Sequence, residues 1–329
     1  MTPTVVGDSR QSVSIVIPMY NAAPWIEEAL RSVEAQTLRP GECVVVDDGS
    51  TDEGPELVRR FAEHSECPVR LVEGSHRGVS AARNRGLAEV SGELVALMDA
   101  DDVWHPTKLE RQVAVLGDPD VVACTSGYAM FESGTRRVVG IVQFRNPDRA
   151  IRRWLSYDGN GMSFSSTVLL RRSAIDELGG FDERVSVCED LELVTRLRRL
   201  GSFRVDRRIL LGYRLHPDQS HRQITEMASN NERLQREVLS FEGFRPRFVR
   251  RCGANLSTHI GLVLLARGRF REAGFHLMAA ARQRPVSLVL LPFYAALRRI
   301  SRRGRAIIGP RWWPVVPADP DADLGLEGR

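Results

Sequence analysis

Three aspartates, Asp99, Asp101 and Asp102, follow directly on the apolar run 94–98. Hard divalent cations take oxygen donors, and Mg²⁺ or Mn²⁺ commonly uses one or two carboxylates together with substrate phosphate oxygens. An acidic turn that caps the next helix would have the same composition, so this cluster gains weight only from company. Asp47-Asp48-Gly49-Ser50 closes a second apolar run, 43–46. Gly49 is free to take a positive φ, and a carboxylate there can accept hydrogen bonds from a pyrimidine N–H or from ribose hydroxyls. Taken alone, that tetrapeptide reads first as an Asp/Gly turn with Ser50 or Thr51 as an N-cap. Pro18-Met19-Tyr20-Asn21 ends a third apolar run and offers the Tyr20 ring either to a base or to packing.

The elements that must carry these clusters alternate. Residues 13–18 read as a β-branched strand, and Pro24 opens a helix with Trp25, Ile26, Ala29, Leu30 and Val33 at helical spacing. Strand 43–46, helix 55–62, strand 69–72, helix 79–90 and strand 94–98 follow. Strands alternating with helices imply an α/β fold with a mostly parallel sheet flanked by helices, and such sheets gather ligands beyond the carboxyl ends of their strands. All three polar clusters lie at such ends. Past His105 the reading is a helix over 106–116, a strand over 121–125, a loop-rich stretch to 161, a strand over 167–170 and an amphipathic helix over 189–200. From about residue 224 the chain reads as helical, including 267–285 and the apolar run 286–297.

Composition narrows the classes. The chain has 329 residues, 43% hydrophobic and 27% charged, which is enough for a sizeable core. Its five cysteines are widely spaced with no C-x-x-C pair, which favours a reducing compartment over a disulfide framework or a zinc site. No basic-then-apolar leader opens the chain and no apolar stretch reaches the ~18 residues of a spanning helix, so a cytoplasmic protein is expected. Formal net charge is +4, with Asp concentrated in the front half and Arg after residue 223. Lys108, the only lysine, follows Thr107 rather than a glycine, which excludes a P-loop. A dehydrogenase is disfavoured by the missing G-x-G-x-x-G.

The ordered segments VSIVIPMYNAAPWIEEALRSVEAQT, VVVDDGSTD, RGVSAARNRGL, LVALMDADDVW and GGFDERVSVCEDLELVTRL resemble the inverting glycosyltransferase family 2 over residues 12–220. Each segment is weak evidence; five in the family's order are specific. The resemblance implies a GT-A fold with a helical C-terminal extension, divided as a flexible N-terminus 1–12, a glycosyltransferase domain 13–222, a helical region 223–304 and a flexible tail 305–329. It implies that Pro18, Tyr20 and Asp48 surround the donor base, normally uracil, with Asn21 on the same side. It likewise implies that Arg77, Arg83 and Asn84 face the nucleotide and Asp101 lies near the nucleoside. Asp102 is implied to hold a Mn²⁺ or Mg²⁺ ion, with His216 as a further ligand, and Asp190 to be the catalytic base; a bare acidic pair opening a helix would otherwise be a dipole interaction. Asp99 is open between a site role and a structural one. Trp104 reads as packing more than sugar stacking.

Through the resemblance the expected reaction is transfer of a sugar, with inversion, from a nucleotide-sugar donor, a UDP-sugar in the family's usual pattern, to a hydroxyl of a carbohydrate, lipid-linked or other acceptor. No nucleic-acid partner is expected. The Ala/Arg-rich helices after residue 223 leave open dimerisation, peripheral contact with a membrane, or simple support of the fold. A catalytically silent nucleotide-sugar-binding module is the competing class; it would be expected to lack Asp102 or Asp190, and both are present.

Overall fold

The computed structural model describes residues 12–143, 146, 152, 156, 164–185, 189–216 and 245–285. Within them the order is β1 (Val13–Met19), α1 (Ile26–Glu34), β2 (Glu42–Asp47), α2 (Gly54–His64), β3 (Val69–Glu73), α3 (Val79–Glu89), β4 (Leu94–Leu97), β5 (Val103–Trp104) and α4 (Lys108–Leu116). Then come β6 (Val121–Glu132), β7 (Val138–Val142), α5 (Phe164–Thr167), β8 (Leu169–Arg171), α6 (Arg172–Leu178), α7 (Glu189–Leu197), β9 (Ser202–Leu215), α8 (Pro246–Ala266) and α9 (Phe270–Gln283).

The strands form one nine-stranded sheet in the order β3-β2-β1-β4-β8-β6-β9-β5, with β7 paired to β6. β3, β2, β1 and β4 are parallel, and Ile15 of β1 lies opposite both Cys43 and Ala96. β8 runs antiparallel between β4 and β6, while β6 and β9 are parallel. Every residue of β1 is buried, as expected of a strand covered on both faces. Alternate side chains supply the two covers. Val16, Val44, Val46, Val95 and Leu97 join Ala82, Leu87, Ile175, Leu191 and Val194 on one face. Ile15, Ile17, Val45 and Ala96 join Ile26, Leu30, Val33, Val58 and Leu109 on the other. Burying each large aliphatic side chain contributes about 1.5–3 kcal/mol, which is what holds both layers to the sheet. α3 lies so close to β1 that a Cβ on Gly86 would fall within van der Waals overlap of Val16.

The doubly covered front half matches the alternating pattern read from the sequence. The middle of the chain differs. The strand expected over 121–125 extends to Glu132 and turns into β7, so much of the expected loop is a hairpin. Its Ser126 and Gly127 have weak strand preference, but pairing with β9 buries them, and the register shifts there absorb the irregularity. The strand expected from residue 167 begins at Leu169, after the short helix α5. β5 and β9 were not expected from the sequence; β9 ends at Leu215, so His216 sits at a strand end.

α8 belongs physically to the same body as the sheet: Cys252, fully buried, joins the first core cluster, with Phe248 and Val249 packed against it. Asn255 Nδ2 donates to the carbonyl of Ser156 at 2.7 Å. No helix among the described residues is long and apolar enough to cross a membrane. The N-terminal segment, the apolar run 286–297 and the expected tail lie outside the described residues.

Candidate active site

The loop from β4 to β5 carries the acidic cluster, and its backbone is tied down before its side chains are considered. Asp99 N–H donates to Ser166 Oγ at 2.9 Å, and Asp102 N–H donates to the Asp99 carbonyl at 3.1 Å. Asp102 is 1% exposed; its Oδ1 accepts the Arg214 N–H at 3.1 Å, and its Oδ2 is buried with no hydrogen-bond partner among the described residues. Burial, then the charges of Asp101 and Asp99, push the Asp102 carboxyl well above the usual carboxylate range. Asp101 is more open. Its Oδ2 lies 2.8 Å from His216 Nε2, and the His216 ring stacks on Trp25 with centroids 3.9 Å apart. The other ring nitrogen of His216, Nδ1, is buried and also without a partner among the described residues.

Arg214 braces this loop from behind. Its Nε donates to the Asp101 carbonyl at 2.7 Å, its Nη2 reaches Glu28 at 2.7 Å, and its guanidinium lies over the Phe131 ring. Burial works against the charge of Glu28, but Arg136 and Arg214 outweigh it and lower its pKa. Nothing in the sequence marks Glu28, Trp25 or Ser166 as site residues; only their place beside the loop does.

Arg83 joins the acidic loop to the start of α7. It is 2% exposed, with Nη2 2.8 Å from Asp99 Oδ1 and Nη1 2.6 Å from Glu189 Oε1. Burial disfavours its charge, but the two carboxylates overcome that and raise its pKa. Asp190, the next residue, is partly buried and accepts the N–H of Leu191 at 2.8 Å. Its carboxyl is held well above the usual range, first by burial and then by Glu189, with Arg83 opposing and Asp99 adding. Asp190 therefore lies within electrostatic reach of the acidic loop, across 91 residues of sequence (190 minus 99).

The third group lies at the ends of β1 and β2. The Asp48 carboxylate accepts the N–H groups of Arg77 at 2.9 Å and Gly78 at 2.7 Å. Tyr20, half exposed, packs on His76, whose ring nitrogen Nδ1 is 3.1 Å from the Asp48 carbonyl. Asn21 sits at φ 49° and knits the two strand ends: its N–H donates to Ser50 Oγ and its Oδ1 accepts the Thr51 N–H, both at 2.8 Å. Pro18 is buried in β1, opposite Val46.

Two residues expected to face the nucleotide have other partners. Arg77 Nη2 pairs with Glu183 at 2.6 Å while its side chain remains two-thirds exposed. Asn84 Oδ1 accepts the Phe181 N–H at 2.8 Å and its Nδ2 donates to the Phe181 carbonyl at 2.9 Å. Asn84 thus brackets the turn Gly179-Gly180-Phe181, where both glycines have positive φ and a Cβ on Gly180 would crowd Asn84 Oδ1. Trp104 is packed inside, donating from Nε1 to the Ser166 carbonyl at 2.8 Å.

Among the described residues no three His, Cys, Asp or Glu side chains converge into a closed metal cage. The donor set nevertheless fits an open divalent-cation site. Three carboxylates share one short loop, Asp99 and Asp102 are both raised in pKa by burial and by the neighbouring Asp101, and two buried polar atoms, Asp102 Oδ2 and His216 Nδ1, lack partners among the described residues. Substrate phosphate oxygens commonly complete such sites.

Comparison with known proteins adds a family, two relatives and two solved structures. Residues 14–179, just over half of the chain, match Glycosyl transferase family 2. An uncharacterized glycosyltransferase of Nostoc sp. is 28% identical over 225 residues, 67% of this chain and 70% of its own length. YibD, an uncharacterized glycosyltransferase of Escherichia coli, is 36% identical over 129 residues, 39% of this chain but only 37% of its own length. Among solved structures, a mannosyltransferase from Pyrobaculum calidifontis in complex with GDP-Man and Mn²⁺ superposes with a TM-score of 0.60 at 24% identity, over 90% of this chain and 83% of that one. Residues 1–349 of S. aureus TarS, in complex with UDP-GlcNAc, give 0.61 at 18% identity over 89% and 88%. At these identities the structural likeness establishes a shared fold.

Proposed function

The chain belongs to glycosyl transferase family 2 and has the GT-A fold of a transferase, and from that premise we propose that it moves a sugar, with inversion, from a UDP-sugar to an acceptor hydroxyl, with Asp190 as general base. The observation that carries this reading is the Arg83 bridge. One buried guanidinium ties the acidic loop, through Asp99, to the Asp190 helix, through Glu189; in this reading the first is the leaving-group side and the second the proton-accepting side.

In this reading the acceptor oxygen forms a bond to the anomeric carbon as the bond from that carbon to the diphosphate oxygen breaks, its electron pair leaving on the nucleoside diphosphate. Asp190 takes the acceptor hydroxyl's proton as the attack proceeds. Its raised pKa makes it a stronger base than a solvated aspartate, with Arg83 keeping it from rising further. A single displacement with one base inverts the anomeric centre. Mn²⁺ or Mg²⁺, when bound, supplies positive charge against the developing charge on the diphosphate. Asp102 and His216, both buried and each with a polar atom lacking a partner among the described residues, would hold it together with the more open Asp101, which His216 Nε2 reaches. Arg214 and Ser166 keep the loop in place. Tyr20 and His76 offer an aromatic wall to the base, while Asp48, bound to two backbone N–H groups, shapes that wall and keeps lone pairs for a base N–H or a ribose hydroxyl.

The test is release of nucleoside diphosphate from a panel of UDP-, GDP- and dTDP-sugars with Mn²⁺ or Mg²⁺. Cation-dependent turnover of one UDP-sugar, lost in Asp190→Asn and Asp101→Ala while donor binding survives in Asp190→Asn, is the expected result. Turnover undiminished in Asp190→Asn would sink the assignment of the base, and preference for GDP- or dTDP-sugars would sink the uridine assignment.

A further inference from the structure

The hairpin of α8 and α9 has one face for the protein and another that is left to solvent. α9 packs antiparallel on α8: Ala273 joins Leu256, Ile260 and Leu264 in a small buried cluster, Leu277 seats against Gly261, and Gln283 reaches Gly253. Ala273, Leu277 and Ala280 therefore form the inward stripe. Phe275, two residues beyond Ala273 and so about 200° around the helix, points away. It is 63% exposed, Met278 one turn later is 57% exposed, and Phe270 at the start of α9 is 70% exposed. Arg271 and Arg282, both exposed, stand before and after Phe275 and Met278 on that same stripe, at spacings of four, three and four residues.

The charge around this apolar strip is one-sided. Residues 245–285 contain nine arginines and a single acidic residue, Glu272, which is already paired with Arg269 at 2.5 Å. Exposed aromatic and Met side chains flanked by arginine on one helix face have the make-up of an interfacial helix, whose apolar side chains enter the headgroup boundary while the cations meet anionic lipid. A second copy of the chain would bring this basic surface against itself, which like-charge repulsion opposes.

We propose that the outward face of α9, centred on Phe275 and Met278 and flanked by Arg271 and Arg282, docks the protein on an anionic lipid surface. The apolar pair supplies insertion and the arginines supply attraction and orientation. Each arginine near an anionic surface contributes about fivefold in affinity, so the interaction weakens with added salt.

The experiment is flotation of the full chain with vesicles of phosphatidylcholine alone and of equal parts phosphatidylcholine and phosphatidylglycerol, at low and high salt. Two variants are compared with the wild type: Phe275→Ser with Met278→Ser, and Arg271→Gln with Arg282→Gln. Both alter exposed side chains, and unchanged thermal melting shows that the fold is kept. The expected result is salt-sensitive binding to the anionic vesicles only, weakened about tenfold or more in each variant. Wild-type protein that ignores lipid charge, or an apolar double variant that floats like wild type, overturns the proposal. So does concentration-dependent dimerisation in sedimentation that the apolar double variant abolishes, since the face would then belong to a second copy.

Discussion

His216 and Asp101 meet at 2.8 Å across 115 residues of sequence, with the imidazole stacked on Trp25. That contact brings the end of β9 to the acidic loop after β4 and gives the loop a nitrogen donor beside its carboxylates. His216→Ala is expected to raise the Mn²⁺ concentration for half-maximal donor turnover by about tenfold or more, the usual scale for losing a metal-site partner. Trp25→Ala, which frees the ring, is expected to do the same to a smaller extent. A Mn²⁺ titration that is unchanged in His216→Ala would remove His216 from the site.

Asp102 carries a cost that its pKa direction exposes. A carboxylate whose folded pKa is raised binds more protons folded than unfolded, so its contribution to stability falls as pH rises from its unfolded value near 3.9 through its folded value. In EDTA at pH 8, Asp102→Asn is therefore expected to be more stable than wild type by about 1 kcal/mol or more, on the order of 2–4 °C in Tm. The gap should close toward pH 4, and the Tm gain that Mn²⁺ gives wild type should shrink in the variant. Thermal melts with and without Mn²⁺ across that pH range decide it.

Removing Arg83 has two expected effects. Arg83→Met leaves Asp99 and Glu189 without their shared cation and should destabilise the fold by about 3 kcal/mol, measurable by urea unfolding. It also removes the charge that opposes the rise in the Asp190 pKa. Because a base must be ionised to act, the acid limb of the pH–rate profile should move to higher pH in whatever fraction stays folded, with Arg83→Lys between variant and wild type. An acid limb that stays in place would show that Arg83 does not tune Asp190.

Lys108 is fully buried, donates to Gln112 Oε1 at 2.7 Å and lies 4.1 Å above the Trp104 ring. Burial lowers its pKa to about 7, with Cys124 pulling the other way. Between that value and about 10.4 the unfolded chain holds the extra proton, so this site favours folding more as pH rises. The stability difference, wild type minus Lys108→Met, is expected to grow from pH 7 to pH 10, and a flat difference in paired urea melts would contradict it.

The amino-acid sequence by itself determined the first half of the molecule and its acidic loop. Buried parallel strands are written as largely apolar runs, and residues 13–18, 43–46 and 94–98 are such runs, each leading into the polar residues its carboxyl end presents. Local order in the chain is enough to place Asp48 and Asp99 to Asp102 at strand ends. The long β6 and β9 were not legible, because Ser126, Gly127 and the arginines of β9 take strand geometry from mutual pairing rather than from their own preference. Nor were partnerships across the chain. That Asn84 grips Phe181, that Arg83 spans Asp99 and Glu189, and that His216 chooses Asp101 over Asp102 depend on how α3, α7 and β9 pack around one sheet. A side chain's type limits what it can bind, but in contacts separated by tens to more than a hundred residues only the packed register of the sheet decides which partner comes within 3 Å.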